Sequence, residues 1–209
     1  VDIVVVGKFF NISQVGWYGV AIQLATMLMI KSVPLFNVVA FPAFARMNAA
    51  TGDRNDYLMT TLGFASALIF PIFLGVAMVG EELIELVLGS KWVDISGLFA
   101  VIVVSVPLRV LAYVISPAML AAGGARINMT NAFITLIFLT AAIFGLLPLG
   151  LFGVGIAWSL GSVCIFVLTA VRGGRLLGLK LKSILLSIFP ALFAALLMCA
   201  VILVVDLSL

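Results

Sequence analysis

The chain has 209 residues, a formal net charge of +3, no histidine and two cysteines, with 65% of its residues hydrophobic and 9% charged. A soluble domain of this size buries only about 70% of its chain surface, too little to hide that much apolar area, and a disordered chain would be polar and charge-rich. The composition also excludes a disulfide scaffold, His-based zinc sites and His-based triads, and its eleven scattered Lys and Arg do not make a nucleic-acid face. What remains is a polytopic membrane protein.

A bilayer core about 30 Å thick takes about 20 apolar residues at 1.5 Å each. On that ruler the chain opens with a stub, 1–10, that reads as the end of a helix whose start is missing. Val1 lies in an apolar run with no basic region or cleavage site before it, so the stub is not a signal peptide and the chain reads as a fragment of a longer protein. Full segments follow at 15–46, 57–88, 95–122, 127–147, 151–172 and 183–205. Their boundaries carry breakers: Asn11 to Ser13, Thr51 to Asp53, Gly89-Ser90, Gly123-Gly124, Pro148 with Gly150, and Gly173-Gly174. The runs lack period-two alternation and are about twice the length of a barrel strand. The predicted fold is all-α, a polytopic transmembrane helical bundle.

Charge placement tests this division. Loops on one side hold Arg46, Arg54, Arg126, Arg172, Arg175, Lys180 and Lys182, and those on the other hold Lys8 and Lys91. The acidic residues Glu81, Glu82, Glu85, Asp94 and Asp206 fall on the basic-poor side, and Asp53 and Asp56 on the basic side. The positive-inside rule makes the basic side cytoplasmic.

An ionised residue at mid-membrane costs about 2.5–3.5 kcal/mol on insertion scales, so each one asks for a reason. Asp2, Lys31 and Arg109 qualify. Helical spacing puts Ser105, Arg109, Tyr113 and Ser116 on one stripe, read as the wall of a cavity that attracts an anion. The alternative is a salt bridge from Arg109 to the helix bearing Asp2. Lys31 shares an arc with Gln23, Thr26, Pro34 and Asn37, a second candidate cavity wall. Prolines 34, 42, 71, 107, 117 and 190 fall inside predicted spans, where kinks suggest a protein that moves. Gly153, Ala157 and Gly161 form a small-residue packing seam, and Trp17, Tyr18 and Trp92 sit at segment ends as an interfacial belt would. Glu81, Glu82 and Glu85 read as a solvated face, and Cys164 and Cys199 as buried hydrophobes. No catalytic constellation is visible, so no enzyme and no cofactor is expected.

Several of these residues also form a known pattern. The run Asp2-Ile-Val-Val-Val-Gly7-Lys8, then Val15-Gly16-Trp17-Tyr18 with Ala21, is followed by Phe41-Pro42-Ala-Phe-Ala-Arg46. Pro71 to Gly75, Leu88-Gly89-Ser-Lys91-Trp92, Gly123-Gly124-Ala-Arg126 and Gly150-Leu-Phe-Gly153-Val-Gly155 continue the series. In order and spacing the chain resembles the Wzx-like O-antigen and exopolysaccharide flippases of the multidrug/oligosaccharidyl-lipid/polysaccharide exporter superfamily, aligning with their second half.

The resemblance implies the second lobe of a two-lobed flippase fold, with 1–172 as the helical lobe, 173–182 as a cytoplasmic basic loop and 183–209 as an additional transmembrane helix. It implies an inner-membrane protein that moves polyprenyl-pyrophosphate-linked oligosaccharide between leaflets by alternating access. Its partners would be that lipid-linked substrate, the bilayer and polysaccharide polymerase machinery, with no nucleic acid. Arg109 and Lys31 would offset the pyrophosphate charge, and Asp2 would pair with one of them or couple a cation. The alternatives are a cation-coupled multidrug antiporter of the same superfamily and a non-transporting scaffold of a polysaccharide assembly complex.

Overall fold

The computed structural model describes residues 2–46 and 53–208, with side chains described for 2–31 and 55–206. Helix α1 spans Asp2–Phe9 and α2 Ile12–Arg46, joined by a reciprocal cap. The Gln14 N–H donates to Asn11 Oδ1 at 2.9 Å and the Asn11 N–H donates to Gln14 Oε1 at 3.3 Å, satisfying two otherwise orphan donors. Helix α3 is Asp53–Met78, α4 Gly80–Leu88, α5 Ser96–Ala121, α6 Ala125–Leu146 and α7 Gly150–Leu168. A 3₁₀ turn, Ser90–Ile95, leads into α5, and a π-turn, Thr169–Gly173, continues α7 into the short α8, Gly174–Leu176. Helix α9, Leu181–Ser208, ends the described chain.

Among the described residues no strand occurs, and the all-α expectation holds. Among the described residues four stretches are long and apolar enough to cross a membrane: Asn55–Met78, Ser90–Ala121, Ala125–Leu176 and Leu181–Asp206. The third, of 52 residues, folds as two passes, α6 and α7. One boundary differs from the sequence reading. The segment 57–88 divides at Val79, and α4 forms a separate helix that buries Gly80 and Ile84 and exposes Glu81, Glu82 and Glu85. Three carboxylates within two turns favour a helix at the water interface over continuation of a span.

The helices pack as a row, α9 on α3, α3 on α5, α5 on α7 and α7 on α6, with α2 also against α5. Helix α5 is the centre and buries fourteen residues, among them Phe99, Ile102, Val106, Leu111, Ile115 and Met119. Lipid removes most of the hydrophobic drive between membrane helices, so close contact must supply it. Small residues allow that contact. A Cβ on Gly155 would approach Leu98 Cδ1 to 2.8 Å, and one on Gly97 would approach Phe152 Cζ to 2.8 Å. The seam read at Gly153, Ala157 and Gly161 is buried, with Gly161 against Leu139 of α6. Pro71, Pro107, Pro117 and Pro190 sit inside continuous helices; the side chains of Pro34 and Pro42 lie outside the described residues.

Chain reversals gather the loops at two ends. Gly123, at φ +81°, turns the chain after α5, and the Gly124 N–H donates to Met119 O at 2.9 Å. Gly124 then packs against Leu176, and Asn55 Nδ2 donates to Leu177 O at 3.0 Å. The loops near 55, 122–125 and 173–180 therefore share one end, which carries Arg126, Arg172, Arg175 and Lys180. The opposite end holds α4, the 3₁₀ turn and Gly150, whose φ of +69° accommodates the corner into α7.

Candidate functional site

Arg109 occupies the middle of α5, about 18 Å from the basic end at 1.5 Å per residue. Its Cζ lies 4.0 Å above the Trp158 ring of α7. A guanidinium stacked on indole keeps its in-plane N–H groups free to donate while the ring face offsets part of the positive charge. Trp158 is fixed in turn, because its Nε1–H donates to Asp2 Oδ2 at 3.0 Å. The same oxygen accepts the Tyr18 hydroxyl at 2.7 Å. Four helices thus meet here, α1 through Asp2, α2 through Tyr18, α5 through Arg109 and α7 through Trp158.

Two members of this cluster were not expected. Tyr18 belongs to no interfacial belt; it is 1% exposed and bonded to Asp2. Trp158 was not singled out, although a tryptophan eight residues into an apolar segment, away from either interface, needs a buried partner for its N–H. That mismatch was the available signal.

Beside Arg109 a cavity of about 530 Å³ opens between α5, α6 and α7. Its polar lining is Arg109, Tyr113, Ser116, Asn128, Thr135 and Thr169, and Leu136, Leu139 and Ile165 supply much of its apolar wall. It runs from Arg109 and Leu139 at mid-helix to Ala125, the first residue of α6, at the basic end. Such a volume suits a headgroup-sized ligand.

The structure brings together some of the predicted residues and separates others. Arg109, Tyr113 and Ser116 line the cavity, and the Ser116 hydroxyl donates to Asn128 Oδ1 at 3.1 Å. Asp2 reaches Arg109 through Trp158. Ser105 lies one turn above and joins α5 to α7, donating to Ile102 O at 2.8 Å and meeting Ser162 Oγ at 3.3 Å. Lys31 is exposed and edges a separate crevice of about 230 Å³ lined by Leu24, Met27, Leu28, Leu83, Ile84, Val87 and Phe99. Gln23 is exposed on α2. The side chain of Asn37 lies outside the described residues.

Comparison with known proteins adds an independent line. A sequence-family model described as "Polysaccharide biosynthesis protein" matches residues 1–97. The teichuronic acid biosynthesis protein TuaB of Bacillus subtilis is 27% identical over 111 residues, covering 53% of this chain and 23% of that protein. The lipopolysaccharide biosynthesis protein WzxC of Escherichia coli is 25% identical over 194 residues, covering 92% of this chain and 39% of that protein. The chain therefore spans well under half the length of either relative. No solved structure matches it.

Proposed function

Taking the chain as a member of the Wzx-like polysaccharide transporter family, as the family match and both relatives support, we propose that it forms part of a flippase. Its substrate is polyprenyl-pyrophosphate-linked oligosaccharide, carried across a bacterial inner membrane for surface polysaccharide synthesis. In this reading 1–172 is the second helical lobe, 173–182 a basic loop facing the cytoplasm and 183–209 an additional helix.

One observation carries the reading: a cavity that reaches the basic end of the bundle and has a stacked arginine at its inner end. A lipid-linked pyrophosphate is assembled where its nucleotide-sugar precursors are, in the cytoplasm. Moving its charges through the bilayer requires that they be met by fixed cations and donors, because a buried phosphoanion without partners is prohibitively unfavourable. The basic loops attract the headgroup, and Arg109 receives it. The Asp2–Trp158 bond keeps the indole under Arg109, so Asp2 acts as a positioning residue. Lys31, in its separate crevice, is assigned to the lipid-facing approach. Alternating access follows from rocking of this lobe against another, with Arg109 at the pivot depth.

The antiporter alternative asks for a carboxylate that exchanges cations, whereas Asp2 Oδ2 already accepts bonds from Tyr18 and Trp158. The test is complementation of a strain lacking the gene. Wild type restores surface polysaccharide, while Arg109→Gln leaves lipid-linked repeat units accumulated on the cytoplasmic leaflet. Full complementation by a stably expressed Arg109→Gln protein refutes the role of Arg109 and favours a scaffold.

A further inference from the structure

Helix α6 is polar inside and apolar outside. Of its three buried residues two are Asn131 and Thr135, one turn apart, while Phe133, Ile134, Ile137 and Phe138 are exposed. Asn131 is fully buried and Thr135 is 6% exposed. Among the described residues, Asn131 Nδ2 and Thr135 Oγ1 are the buried side-chain polar atoms with no hydrogen-bond partner. The omission at Thr135 is specific to that position. On the same helix Thr130 donates to Arg126 O at 2.7 Å and Thr140 to Leu136 O at 2.8 Å, the ordinary way a helical threonine satisfies its hydroxyl. Thr135 lines the cavity beside Arg109 and makes no such bond.

Two neighbouring amide oxygens each already hold a donor. Asn128 Oδ1 takes the Ser116 hydroxyl, and Asn131 Oδ1 takes Arg172 Nη1 at 2.8 Å. Donors left for a ligand in the cavity are the Arg109 guanidinium and the Thr135 hydroxyl. An ammonium group is repelled by the guanidinium and would need acceptors. A phosphoryl oxygen needs donors alone.

We propose that Thr135 is a specificity-determining residue of the cavity between α5, α6 and α7, its hydroxyl donating to a phosphoryl oxygen of the headgroup that Arg109 receives. Asn131, held by Arg172 of the π-turn, positions that turn of α6. This inference rests on the flippase reading and adds to it a neutral donor that no charge pattern reveals.

The probe is radiolabelled citronellyl pyrophosphate, a short polyprenyl pyrophosphate without sugar, in equilibrium dialysis against the protein at its natural length in lipid nanodiscs. Thr135→Val keeps the shape and removes the hydroxyl. It weakens binding by about 10- to 100-fold, the worth of a hydrogen bond to a charged acceptor, and Thr135→Ser stays within about threefold of wild type. Because the Thr135 hydroxyl is buried without a partner, Thr135→Val also raises the unfolding midpoint of unliganded protein by about 2–6 °C. A purely structural threonine would lower it. Wild-type affinity in Thr135→Val alongside lost binding in Arg109→Gln overturns the Thr135 assignment and leaves the cavity reading standing. Absence of binding by wild type removes both. If Thr135→Val and Thr135→Ala both fail to fold while Thr135→Ser folds, the hydroxyl is structural and the inference is overturned.

Discussion

Replacing Trp158 by Phe keeps a ring beneath Arg109 but deletes the N–H that donates to Asp2 at 3.0 Å. A hydrogen bond to a charged acceptor contributes about 1.5–3 kcal/mol in soluble proteins, whereas interhelical bonds measured within membranes average about 0.6 and reach about 1.7 kcal/mol. Asp2 keeps the Tyr18 hydroxyl at 2.7 Å, so the carboxylate retains a donor and the loss falls between the two averages, about 1–2 kcal/mol. The weaker face of Phe adds about 0.5 kcal/mol, giving about 1.5–2.5 kcal/mol in all. Tyr18→Phe alone has a similar effect. The double variant leaves the carboxylate short of both donors, and its loss exceeds the sum of the singles by about 1–2 kcal/mol. Asp2→Asn, which removes the charge that needs those donors, restores part of the double variant's stability. Unfolding in mixed micelles of increasing SDS fraction, followed by far-ultraviolet circular dichroism, measures each step. Single losses below about 0.3 kcal/mol that add without coupling would refute the assignment of Asp2, Tyr18 and Trp158 to one buried unit.

Other positions give sharper contrasts. At Gly153 a Cβ would collide with the Leu146 carbonyl oxygen, so Gly153→Ala destabilises the α6–α7 corner by about 2–3 kcal/mol, whereas Gly145→Ala, with open space around it, is neutral or stabilising by up to about 1 kcal/mol; the same denaturation series reads both. Arg172→Gln shortens the reach to Asn131 Oδ1 and costs about 1–2 kcal/mol, seen as faster amide exchange in the first turns of α6 and unchanged exchange in α3. Arg109→Lys keeps the charge but loses the planar stack on Trp158, so under the proposed flippase function transfer between leaflets of proteoliposomes falls by about tenfold or more with stability nearly unchanged.

The helical architecture was legible because lipid imposes a ruler and a rule. Residues must be apolar over a fixed length, and breakers must fall between those lengths, so Gly123 and Gly150 mark turns in sequence and structure alike. The end of a span at Val79 was less legible, since the apolar run continues past it and only the close spacing of Glu81, Glu82 and Glu85 marks α4 as distinct. Arg109 announced itself by its cost in lipid. Its stripe was divided by packing, however: α7 closes on Ser105 and Asn128 of α6 bonds Ser116, whereas α6 stands away from Arg109 and Tyr113 and leaves the cavity. Tyr18 and Trp158 escaped because amphipathic aromatics are ordinarily interfacial, and their burial depends on where α1 brings Asp2. Asn131 and Thr135 were hidden for another reason. A neutral polar residue in a long apolar helix is cheap enough to be tolerated singly, and only their four-residue spacing hinted at a shared face.

The most direct measurement follows a fluorescent polyprenyl-pyrophosphate oligosaccharide between leaflets of proteoliposomes containing the protein at its natural length. The account predicts transfer by wild type and a drop of at least about tenfold in Arg109→Gln, with the variant still folded. Transfer at the wild-type rate by Arg109→Gln contradicts it, because a headgroup that crosses without Arg109 does not use the cavity between α5, α6 and α7 in the way proposed.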